Sequence, residues 1–407
     1  MYDLAAFGAW IEFAARWLHV VTAIAWIGSS FYFIALDLGL RRDKPLDSGA
    51  DGEEWQVHGG GFYHIQKYLV APAQMPEHLV WFKWESYATW LSGFALLVLV
   101  YWFGAEFYLI DPNIMDLATW QAIGISIGSL IVGWIIYDQL CKSPIGQNMT
   151  LLMVILFGVL VVMSIFYTSV FTGRAALLHL GAFTATIMTA NVAHIIIPNQ
   201  RIVVADLIAG RTPDPKYGFI AKQRSTHNNY LTLPVIFLML SNHYPLSFGS
   251  ENAWLIASLV FLMGVTIRHF FNSMHARKGY PHWTLALTTL IFLIIMWLST
   301  APLQTSSGED AVLDDRLTRF VTAEGFDDVH DIMMGRCSMC HAAEPVWQGL
   351  HWAPKGVRLD NTVDIARSAR AVYLQAGLSH AMPPANLSYI TDEEREQIVA
   401  WYKAAFK

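Results

Sequence analysis

The sequence predicts an all-α protein in two parts: a polytopic bundle of about eight membrane-spanning helices over residues 1–305, then a small soluble helical domain over 306–407. Three observations predict it. Only 14% of the 407 residues are charged, against about 25% in an ordinary soluble domain, while 55% are hydrophobic and the mean hydropathy is +0.38. The charge is also uneven, with 16 Lys and Arg and 17 Asp and Glu in residues 1–300 but 10 and 15 in the much shorter stretch 301–407. Third, charge-free windows near the roughly 20 residues that a spanning helix needs recur eight times.

In chain order the windows are 17–36, 86–105, 117–137, one within 143–173, 175–200, 225–250, 252–267 and one within 279–308. The sixth is interrupted by Pro234 and Pro245, and the seventh is extended by a stretch holding Arg268 and His269. Short loops rich in Lys and Arg stay on the cytoplasmic side. Arg41, Arg42, Lys44 and Lys67 follow the first span, Lys142 the third, Arg201, Arg211, Lys216, Lys222 and Arg224 the fifth, and Arg277 and Lys278 the seventh. The alternate loops hold essentially only Arg174. Both termini are therefore expected outside, which in a bacterium is the periplasmic side of the inner membrane. Met1-Tyr2-Asp3 lacks the basic start of a cleaved signal peptide, so the first span is expected to remain.

The tail begins with a polar linker, 306–310, and an amphipathic segment, 313–334. Cys337-Ser338-Met339-Cys340-His341 follows, the pattern of covalent c-type haem attachment, in which two thiols bond the porphyrin and the next His lies under the iron. Thr391 and Glu394 form a capping box that opens a last helix through Ile398 and Trp401. Helices on either side of such a motif predict a class I cytochrome c domain. Met382, within Ala381-Met382-Pro383-Pro384, is the expected sixth iron ligand, with His351 and His380 as rivals. Three cysteines are too few for a disulfide framework, and Cys141 is expected to be inert. A net charge of −6 without a basic block argues against nucleic acid.

Ionisable groups inside spans are costly and mark sites. A cytoplasmic layer holds His78, Lys83, Glu85, Asn191, His194, His227, Asn228, Asn229, Arg268, His269, Asn272 and His275. Arg268, Asn272 and His275 share one helical face, and Arg268 is the expected partner of Glu85. A periplasmic layer holds Glu12, Arg16, His19, His179 and His243. Two of these three histidines are expected to ligate a b-type haem, a metal or another redox centre that carries electrons towards the tail. With no nucleotide or hydrolase signature, the chain reads as an oxidoreductase, either one that oxidises a small substrate or a quinol- or partner-oxidising electron relay.

Segments 17–28 (WLHVVTAIAWIG), 59–68 (GGGFYHIQKY) and 76–85 (PEHLVWFKWE) resemble the bacterial membrane-bound urate oxidases called the urate hydroxylase PuuD family. The resemblance extends over nearly the whole chain and implies oxidation of urate to 5-hydroxyisourate in purine catabolism. Water would be the oxygen source and the protein's own haem c the electron acceptor, without peroxide, with a downstream cytochrome or terminal oxidase as partner. It carries the haem residues onto Cys337, Cys340, His341 and Met382. For urate, the chemistry of the cytoplasmic layer offers Arg268 to pair the anion, Asn191 or Asn272 to read the ring edges, and Trp84 or Phe271 to stack. His194 or His269 would be the base, with Lys83 and Glu85 in the same cluster.

Overall fold

Helix forms at every one of the eight apolar windows. The structure, a computed structural model describing residues 4–69, 76–300, 313, 315–348, 350 and 353–406, is mostly helical. Its membrane part runs α1 (Leu4–Gly39), α2 (Trp84–Leu96) ending in a π turn at Leu97–Trp102, the short α3 (Ala105–Tyr108), α4 (Thr119–Lys142) and α5 (Met149–Thr168). Next come α6 (Gly173–Ala190), which passes through a π turn at Asn191–Ile196 into α7 (Ile197–Ile208), then α8 (Pro215–Ser241), α9 (Ala253–His275) and α10 (His282–Thr300).

Among the described residues six segments are long and apolar enough to cross a membrane: Ala6–Gly39, Thr119–Lys142, Met149–Thr168, Gly173–Ile208, Ala253–His275 and His282–Ser299. The other two windows fall short for different reasons. α2 has only 13 residues, about 20 Å of regular helix, before its π turn. α8 is long, but Gln223, Arg224, His227, Asn228, Asn229 and Thr232 lie along it, all buried. Neighbours at 100° steps such as His227, Asn228 and Asn229 can all be buried only in a helix enclosed on several sides. α8 packs on α1, α6, α7 and α9. It is the central helix, with its polarity turned inward and away from lipid.

One element lies outside the all-α expectation. After α1 the chain forms an antiparallel hairpin, β1 (Ala50–His58) and β2 (Gly61–Tyr68), closed by Gly59-Gly60 with φ of +60° and +80°, the two positive values of a tight hairpin turn. Trp55 stacks on its cross-strand partner His64 at 4.2 Å, and Lys67 pairs with Asp37 at the end of α1.

The tail is helical: α11 (Asp315–Val321), α12 (Phe326–Ile332), a π turn at Met333–Cys337, α13 (Ser338–His341), α14 (Thr362–Arg367), α15 (Ala369–Val372) with a π turn at Tyr373–Leu378, and α16 (Asp392–Ala404). The amphipathic stretch 313–334 is thus two helices, broken at Gly325 with φ +85°. The capping box forms as expected, Glu394 N–H donating to Thr391 Oγ1 at 3.2 Å and Thr391 N–H to the Glu394 carboxylate at 2.7 Å. Phe320, Val329, Met333, Ile365, Ile398 and Trp401 make a core of its own. This unit docks on the bundle at α3, where Arg319 pairs with Glu106 and Phe320 meets Phe107. The linker 306–310 and His351 lie outside the described residues.

Candidate active site

A cavity of about 980 Å³ opens between α1, α2, α6, α8 and α9. Along α1 its lining runs from His19 to Asp37, about 27 Å of helix, so it traverses most of the bundle. Five predicted residues of the cytoplasmic layer meet on its wall: Glu85 from the first turn of α2, Asn228 and Asn229 from α8, and His269 and Asn272 from α9. Crossing of α8 and α9 is set by a close approach: a Cβ on Gly264 would fall 2.4 Å from the Pro234 ring. One turn further along α9, Arg268 faces Asn229.

The local geometry determines which polar atoms remain for a ligand. Arg268 Nη2 donates to Asn272 Oδ1 at 3.0 Å and Arg268 Nε to Asn229 Oδ1 at 3.4 Å, while Asn272 Nδ2 donates to the same Asn229 oxygen at 2.9 Å. Asn229 therefore accepts twice through its oxygen, which orients its amide group. Its nitrogen, fully buried, has no partner and belongs to a cavity-lining side chain. The guanidinium lies 4.0 Å from the Phe31 ring centroid, and among the described residues no carboxylate pairs with it. It does not pair with Glu85, as the sequence suggested, and it stands behind the two amides, holding them. Its uncompensated charge in a low-dielectric wall favours an anion. His269 lines the cavity with Nδ1 3.5 Å from the Tyr230 hydroxyl.

Other expected participants lie elsewhere. The π turn at Asn191–Ile196 buries Asn191 and leaves His194 exposed, its ring 6.1 Å from Trp134. Lys83 precedes α2, 5.9 Å from the Trp84 ring centroid, and Trp84 and Phe271 are exposed. Trp26, Phe33, Phe82 and Tyr230 supply the aromatic wall instead.

Behind Asn228 lies a buried network to which the sequence offered Asn191, His227 and Asn228 but not Tyr137, Arg224 or Asp138. Asn191 Nδ2 donates to Asn228 Oδ1 at 2.9 Å and to the Tyr137 hydroxyl at 3.0 Å; the hydroxyl is 2.8 Å from His227 Nδ1. Arg224, 1% exposed, pairs with Asp138 at 2.9 Å, and Lys142 takes the other oxygen of that carboxylate. Arg224 counted in the sequence as a loop charge, and Asp138 sat one residue past the third window. Their positions i and i+4 in Asp138 and Lys142, and the polar run of α8, were the available signals.

The three histidines of the periplasmic layer have separate surroundings. His179 is fully buried, with Nδ1 2.8 Å from Ala175 O and Nε2 3.0 Å from Ser126 Oγ, so both ring nitrogens are engaged. His19 commits Nδ1 to Thr89 O at 2.9 Å and lines the cavity, its ring lying where a Cβ on Gly93 would be. His243 is exposed after α8. Among the described residues no three His, Cys, Asp or Glu side chains converge to hold a metal.

In the tail, Cys337 ends a π turn and Cys340 and His341 follow on α13, neither thiol in a disulfide. His341 Nδ1 bonds Val357 O at 2.8 Å, which leaves Nε2 as the nitrogen able to ligate. Burial pushes the Cys337 thiol up to about 12, helped by Cys340 and Glu394, and burial also raises Cys340. The Met382 backbone is clamped, its N–H donating to Gln375 O at 2.8 Å and its carbonyl accepting from Arg395 at 2.9 Å.

Fold and site together define a mostly helical protein with membrane-length spans, a cavity inside the bundle that carries polar side chains on its wall, and a helical tail. Residues 5–299 match the family described as Urate oxidase N-terminal, and the chain belongs to that family. No curated protein and no solved structure matches it.

Proposed function

We propose that this chain is a membrane-bound urate oxidase of the hydroxylase type, converting urate and water to 5-hydroxyisourate with release of two electrons and two protons. The family match over 5–299 carries the reading, because the matched segment supplies every wall of the cavity. Urate is a planar anion ringed by carbonyl oxygens and N–H groups. The Asn229 amide, fixed with its N–H groups unpartnered, donates to a carbonyl; Arg268 supplies the countercharge and keeps both amides in place; Glu85 and His269 are the two cytoplasmic-layer groups on the wall able to take protons. Lys83 and His194, outside the wall, have no contact with a ligand there.

The electrons leave through the tail, which we read as a class I cytochrome c domain over 306–407 attached to the 1–305 bundle of eight spans. Cys337 and Cys340 would hold a haem c by thioethers and His341 and Met382 would bind its iron; the free Nε2 of His341 and the clamped Met382 backbone fit that role. The haem supplies a one-electron acceptor of raised potential. A second redox centre among His19, His179 and His243 fits less well, because His179 has both nitrogens engaged; His19 is the one of the three on the cavity wall. The basic loops support a periplasmic position for both termini and the tail at a bacterial inner membrane, where a downstream cytochrome or terminal oxidase would take the electrons.

The test is anaerobic addition of urate to the purified, air-oxidised protein while the reduced haem c band is followed. Appearance of the band, with 5-hydroxyisourate as product, is expected. A flat trace while a quinol reduces the same haem would overturn the reading in favour of an electron relay.

A further inference from the structure

A second cavity, of about 550 Å³, lies between α4, α5, α6, α8 and α9. None of its lining residues is Asp, Glu, Lys or Arg, and its walls are almost wholly apolar. Ile136, Val154 and Leu262, at its edge, are 43%, 63% and 37% exposed on segments that cross the membrane, so it opens sideways into lipid. One polar atom in it is unexplained. His227 is fully buried, and its Nε2 has no hydrogen-bond partner.

The bonds around His227 allow that atom to be a donor. The Tyr137 hydroxyl accepts from Asn191 Nδ2 and lies 2.8 Å from His227 Nδ1, to which it can give its proton. A neutral imidazole that accepts at Nδ1 carries its proton on Nε2. In that tautomer the cavity holds one oriented N–H donor in an apolar, uncharged chamber, where a donor left unmet is costly. A complementary ligand arrives from the bilayer, has an apolar body without charge, and carries a carbonyl oxygen. Phospholipids share the carbonyl, but their charged headgroup finds no counterpart among these walls.

We propose that this cavity binds the ring of a membrane quinone, one carbonyl accepting from His227 Nε2. Its volume lies within the usual range for small-molecule sites, about 300–1,000 Å³. The chamber shares Thr226, Tyr230 and His269 with the first cavity, so the two ligands would sit on opposite sides of one wall. The proposal concerns binding and holds whether or not urate is the substrate of the first cavity.

The experiment titrates the purified full-length protein in detergent with decylubiquinone and follows tryptophan fluorescence quenching. Saturable quenching is expected, with affinity weakened about tenfold in His227→Leu. Val265→Phe, which fills the chamber from α9 without touching the Tyr137–His227 bond, is expected to abolish quenching while the thermal unfolding midpoint stays near that of the parent. Unchanged affinity in both variants would overturn the proposal. So would equal competition by decylbenzene, which has the tail and ring but no carbonyl, or displacement by phosphatidylcholine at the same mole fraction.

Discussion

Asn229 shows how a single side chain acquires a role from its neighbours. Any amide can turn over, but here two donors converge on its oxygen, so its nitrogen is the end available to a ligand. Asn229→Leu is expected to lower kcat/KM for urate about tenfold or more, the cost of one hydrogen bond to a bound carbonyl, with the haem spectrum unchanged. Arg268→Ala removes the countercharge, frees the Asn272 amide oxygen and leaves Asn229 with one donor in place of two; it and His269→Ala should abolish urate-dependent haem reduction and leave the c-type spectrum intact. Normal reduction in both would displace the site from this wall. In the tail, the thiol pKa values make a separate claim. In protein made without haem attachment, iodoacetamide at pH 8 should label Cys340 well before Cys337, whose buried thiol has almost no thiolate at that pH; haem-loaded protein should resist labelling at both.

At the scale of elements, α8 decides what the sequence could reveal. The helices α1, α4, α5, α9 and α10 announce themselves by apolar runs of membrane length, and each forms at its window. The polar residues of α8 were visible too, as His227, Asn228 and Asn229, but their direction was not, because consecutive polar positions define no face. Only enclosure by four other helices turns Asn229 to one cavity and His227 to the other. Arg224 went unseen for the same reason, since a charge near a span's end looks like a loop charge until a partner such as Asp138 buries it. The β1–β2 hairpin was legible in Gly59-Gly60 between alternating residues, yet a search for apolar windows passes over it. The α8–α9 crossing makes its own prediction. Gly264→Val would drive a branched side chain into Pro234, and a loss of about 1–3 kcal/mol is expected, read as a lowered unfolding midpoint in detergent. Gly158→Val, where a Cβ meets nothing within 4 Å, should cost far less.

For the whole molecule, the question is how a chemistry inside the bundle reports to the tail. The motif Cys337-Ser338-Met339-Cys340-His341 and the capping box at Thr391 were plain in the sequence, since both are local. Docking was not, because Glu106 and Arg319 are far apart in the chain and each looks like an ordinary surface charge. Arg319→Glu should slow urate-driven haem reduction several-fold without altering either the haem spectrum or urate binding, and the double exchange with Glu106→Arg should restore much of the rate; stopped-flow measurement at low ionic strength checks both. One feature reaches across the whole bundle. Each π turn holds one residue more than the α-helical ladder would need, and the turn at Asn191–Ile196 sits midway along the Gly173–Ile208 segment. Deleting one residue there, Val192 for example, would let the helix close up as regular α and keep Ile197–Ile208 in register with the half before it. What such a deletion would erase is the local widening that buries Asn191 against Tyr137 and Asn228, so this one surplus residue places an amide without turning the rest of the helix.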